Sequence, residues 1–132
     1  MPLLFDDDYR DLEEQGITFE EGESQRILVF KNYQLSSEIY TFTSCDVLVM
    51  IPPNYNQAGN DMFWTYPRPY RSDGRPLPMV MEAGGGDSRN WANREFCRWS
   101  RHWEPSCWKP GKDGIISIYR RVGSALRHPG PE

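Results

Sequence analysis

Residue types able to do covalent chemistry are few in this chain, and most fall between positions 90 and 108. Cys97, His102 and Cys107 stand there, with Arg94, Arg98 and Arg101 interleaved and Asn90 and Asn93 just upstream. A cysteine flanked by cations is expected to ionise more readily than a free thiol. Cys97 is therefore the expected nucleophile, and His102, five residues on, an expected base. Asn93, or Asn90, is the amide expected to steady a tetrahedral oxyanion. Cys107, against Trp108, is the weaker candidate, and Cys45, at the start of a strand, is expected to be structural. A packed, inert Cys97 stays open beside this reading, because unpaired cysteine is among the most buried residue types. So does a packing role for His102, between Arg101 and Trp103. The Cys-x4-His-x4-Cys spacing of Cys97, His102 and Cys107 resembles part of a zinc knuckle, but its first ligand would fall at Arg94, which cannot bind zinc. No metal and no cofactor is expected.

The elements that must position these residues come from one domain, since 132 residues are enough for one sizeable core. A composition 38% hydrophobic and 14% aromatic supports folding. The net charge of -4 has no basic face to offset it, which argues against a nucleic-acid partner. The start, Leu3-Leu4-Phe5 followed by Asp6, Asp7 and Asp8, lacks the features of a secretory signal. No run approaches the roughly 20 apolar residues of a membrane span. Three cysteines form an odd set without disulfide-scaffold spacing, so reduced thiols in the cytoplasm are expected.

The periodicity predicts an α+β fold. A helix is expected over Leu4 to Gln15, stopped by Gly16. An antiparallel four-stranded meander follows, from Ile17–Glu20, Arg26–Lys31, Ile39–Thr43 running on into Asp46–Ile51, and Met62–Tyr66. Prolines and glycines from Pro67 to Asn90 predict a long flap, with Gly84-Gly85-Gly86 as a flexible hinge. Asn90 to Trp103 is expected to hold one or two helical turns, and Asp113 to Arg127 an amphipathic helix ended by Pro129.

This order of elements resembles the ubiquitin-conjugating-enzyme fold, and two motifs carry the resemblance. Members follow their third strand with Pro-Pro-x-Tyr-Pro, and here Pro52-Pro53-Asn54-Tyr55-Asn56 departs from it at Asn56. Their Trp-x-Pro segment, which opens the next helix, is similar to Trp108-Lys109-Pro110. Trp99-Ser100-Arg101-His102-Trp103 resembles a segment of the prokaryotic branch. The resemblance implies a carrier that accepts a ubiquitin-like protein as a thioester from a ThiF-type activating enzyme and passes it to an amine, in bacterial defence against phage. Two departures matter. The family's His-Pro-Asn motif is replaced by Tyr66-Pro67-Arg68-Pro69, and its usual cysteine position falls in Leu77-Pro78-Met79, which has no thiol. They leave open a variant that binds the ubiquitin-like protein or the activating enzyme without catalysis, or a scaffold subunit docking through the flap.

Overall fold

A computed structural model describes residues 2–130. The first helix, α1 (Asp6–Glu14), begins where three aspartates meet the positive end of the helix dipole, and Asp8 accepts the Phe5 backbone N–H at 3.0 Å. It stops at Gly16, whose φ of +67° suits glycine. Four strands follow: β1 (Phe19–Gly22), β2 (Ile27–Gln34), β3 (Ser44–Met50) and β4 (Phe63–Tyr66). A short hairpin of β5 (Arg89–Trp91) and β6 (Arg94–Trp99) comes next, then a 3-10 turn at Pro105–Cys107 and the second helix, α2 (Ile115–Arg127).

The sheet is antiparallel throughout, in the order β1-β2-β3-β4-β6-β5. Among the described residues six strands replace the four expected. The extra pair is the Asn90 to Trp103 stretch, expected to be helical. Ala92 and Asn93 both take positive φ, 53° and 63°, between the paired residues Trp91 and Arg94. That is the two-residue turn whose twist matches a β-hairpin, and Asn is among the side chains that tolerate it. The Ile39–Thr43 segment is likewise no strand. It forms turns with a single bridge from Tyr40 to Arg71. α2 starts at Ile115 rather than Asp113.

Both faces of the sheet are covered. Leu28, Phe30, Val47, Val49, Phe63 and Trp99 share a core with Leu12 of α1 and the Ile115, Ile118, Val122 and Leu126 stripe of α2. The opposite face buries Ile27, Val29, Leu48, Trp64 and Phe96 against Met50, Met62 and Trp91. The end of the flap folds over this second face, where the Asp87 carbonyl accepts the Trp64 indole N–H at 2.8 Å and the Arg89 guanidinium lies over the Trp64 ring. Covering on both sides explains why Ile27 to Phe30 are buried without alternation.

The helices meet at Asp8. One carboxylate oxygen takes the Phe5 N–H, and the other takes the Ile115 N–H at 3.0 Å, so a single buried side chain caps α1 and α2 together.

Candidate functional site

β6 sets the relation among the sequence-predicted site residues, and it separates them. Cys97 lies mid-strand opposite Thr65 of β4 and is only 2% exposed. Asn93 occupies the hairpin turn four residues earlier, about 13 Å away at the ordinary strand rise. Its left-handed backbone gives it a conformational role there. Asn90 faces Glu95 in the hairpin. His102 lies three residues beyond the other end of β6.

Strand alternation also sends the expected arginines elsewhere. Arg94 and Arg98 point to the face opposite Cys97, where they bind Asp46 and Asp87, each at 3.1 Å. Arg101 donates to the carbonyls of Pro78 and Pro129. The Cys97 thiol is consequently pushed up, first by burial and then by Glu95, against a smaller opposing pull from Arg68. Arg68 comes from the flap, and no motif or spacing pointed to its proximity.

Cys107, the weaker candidate in the sequence, is the exposed thiol of the three. It closes the 3-10 turn, with its N–H bonded to the Glu104 carbonyl at 2.9 Å. The next residue, Trp108, is buried, and its indole N–H donates to the Asn56 carbonyl at 2.8 Å. Gly59 allows this approach, since a Cβ there would stand 2.5 Å from the Trp108 ring. The Asn56 side chain ties down the following residues, donating to the Asp113 carbonyl at 3.1 Å and accepting from the Gly111 N–H at 3.3 Å. Asn56, the departure from the motif proline, thus fastens the Pro-Pro-x-Tyr turn to the Trp-x-Pro segment.

Arg121 of α2 organises the surroundings of Cys107. Its guanidinium lies over the rings of Trp103 and Trp108, 4.8 and 5.2 Å from their centroids, and donates to the Asn60 carbonyl at 3.0 Å. Burial lowers its proton affinity, while the nearby Asp113, Cys107 and Asp61 raise it, so that thiol and Asp61 share its field. Asp61 Oδ1 lies 2.8 Å from His102 Nδ1 on an exposed surface, which leaves the histidine Nε2 free to face solvent. A groove of about 290 Å³ runs beside them, lined by Asn60, Asp61, Trp103, Glu104, Trp108 and Arg121. Asp61 and Arg121 stand in no motif, and no spacing in the sequence marked them. Among the described residues no group of three or more His, Cys, Asp and Glu side chains is placed to hold a metal ion.

A two-helix, antiparallel-sheet domain whose Pro-Pro-x-Tyr turn packs on a Trp-x-Pro loop before the final helix has the features of the ubiquitin-conjugating-like class. The model of Prokaryotic E2 family E matches residues 4–129, and the chain belongs to that family. A conjugating-type role, in company with a ubiquitin-like protein and an activating enzyme, follows in general terms from this membership. No curated protein and no solved structure matches the chain significantly. Among the described residues no helix is long and apolar enough to cross a membrane.

Proposed function

We propose that this chain carries a ubiquitin-like protein as a thioester, received from a ThiF-type activating enzyme, and transfers it to an amine, in a bacterial pathway directed against phage. The observation that supports this reading best is an exposed thiol, Cys107, in the loop before α2, within the electrostatic reach of Arg121, which also feels Asp61, the partner of His102. In the loading step the Cys107 thiolate attacks the thioester carbonyl on the activating enzyme, and that enzyme's thiolate leaves. In the transfer step the amine attacks the same carbonyl. The C–N bond forms, the C–S bond breaks, and the amine's proton passes to His102 Nε2 or to water.

A second reading keeps Cys97 as the carrier, as the sequence suggests, with Arg68 acting for the thiolate against the larger effects of burial and Glu95. Cys97 is then loaded only after the flap moves. Non-reducing gels of the purified protein with activating enzyme, ATP and the ubiquitin-like protein separate these readings. A thiol-sensitive adduct lost in Cys107→Ala but kept in Cys97→Ala supports the first. The reverse pattern supports the second. No adduct on the wild-type chain, with the activating enzyme shown to be charged, refutes both and leaves a non-covalent binding module.

A further inference from the structure

We propose that the flap is a latched lid over Cys97, and that Glu82 is the latch. The register makes the case. Val80 bridges Trp99 in antiparallel fashion, and the bond from the Met81 N–H to the Arg98 carbonyl continues the pairing. Two residues on, that register sets Glu82 opposite Cys97, so the thiol lies between Thr65 on one side and Glu82 on the other. The residues 79–81 anchor the near edge of the lid, with Val80 buried in the core.

Arg68 crosses from the end of β4 to meet Glu82. Its guanidinium stands 3.4 Å from Glu82 Oε1 and lies over the Tyr70 ring, while the Tyr70 hydroxyl donates to Glu82 Oε2 at 2.7 Å. This clasp spans the thiol, and both Arg68 and Glu82 act on its charge. The Arg68 side chain is 9% exposed, yet its Nε–H has no partner, so closure leaves one buried donor unsatisfied. Glu82 itself is well exposed, where an ion pair is weakly held. After Ala83 comes Gly84-Gly85-Gly86. Gly84 takes a left-handed φ of +81° and a Cβ at Gly85 would stand 2.8 Å from the Glu82 carbonyl, so both shape a turn, whereas a Cβ at Gly86 would meet nothing within 4 Å. Gly86 supplies freedom of the backbone, and it lies where a latch needs a hinge.

The lid is tested by thiol labelling alone, so its failure is separate from any failure of the carrier reading. In the Cys107→Ser protein, modification of Cys97 and Cys45 by a maleimide is followed by mass spectrometry. Cys45, buried under α2, is the internal control. Tyr70→Phe, which frees Glu82 from its hydroxyl without altering the charge beside the thiol, is expected to speed labelling of Cys97 several-fold without changing Cys45, and Gly86→Ala, which stiffens the hinge, to slow it. A rise at both cysteines would mean general loosening and overturn the lid, as would an unchanged Cys97 rate in Tyr70→Phe.

Discussion

Asp8 offers the most direct measure of how the two helices are held together. Its two carboxylate oxygens each accept one helix-terminal N–H at 3.0 Å, from Phe5 and Ile115. Losing a single N-cap acceptor to alanine costs roughly 0.5–2 kcal/mol, so Asp8→Ala is expected to cost about 2.5 kcal/mol for the pair. For a domain of this size that is a fall of about 10 °C in Tm. Asp8→Asn separates the two contributions, because an amide has one acceptor oxygen and serves only one of the two donors. It should lose about half as much, roughly 1 kcal/mol. Gly114→Ala should act on the same joint, since a Cβ there would stand 2.5 Å from Asp8 Oδ1. Urea unfolding at pH 7, followed by tryptophan fluorescence, measures all three variants. An Asp8→Ala loss below about 0.5 kcal/mol, or Asn and Ala losing equally, would refute the shared cap.

Asn93→Gly should leave both thermal stability and adduct formation close to wild type, because glycine takes the positive φ of the hairpin turn as readily; a large loss of adduct would restore Asn93 as a chemical participant. Burial, with a smaller push from Asp46, raises the Cys45 thiol from its usual 9.0 to about 12. The folded chain therefore keeps a proton that the unfolded chain releases above pH 9, and stability is lost as pH rises through that range. At pH 10 this amounts to about 1.4 kcal/mol, so unfolding curves of Cys45→Ala should fall less between pH 8 and 10 than those of wild type, whereas parallel declines would refute it.

Much of the framework was legible because its signals are local. Apolar stripes marked the final helix, and the prolines after Tyr66 marked the flap. The hairpin was missed for a physical reason. Its turn uses Ala92-Asn93 in place of the usual Asn-Gly or Asp-Gly, and its strands are only three and six residues long. Reading that stretch as helical also grouped Arg94, Arg98 and Cys97 on one surface. A strand places alternate residues on opposite faces, and that alone sends both arginines away from the thiol. Arg68 and Glu82 reach Cys97 only through the fold of the flap, and no periodicity encodes such an approach.

The departures from the family motifs carry physical meaning of their own. Where the motif has a proline, Asn56 supplies a side-chain donor and acceptor that hold Gly111 and Asp113, while its carbonyl holds Trp108. Proline offers only the carbonyl. These three bonds fix the residues that follow Cys107, and Lys109 continues the arrangement by donating its N–H to Asp113, whose carboxyl is thereby held below its ordinary range. Asn56 and Arg121 both hold Trp108, the residue after Cys107, so the exposed thiol adjoins an anchored neighbour. Cys97 has the opposite arrangement, a rigid strand beneath and a hinged cover above. The sequence shows the two cysteines ten residues apart in similar aromatic surroundings, and the difference in what holds them is the property on which any acyl transfer by this chain turns.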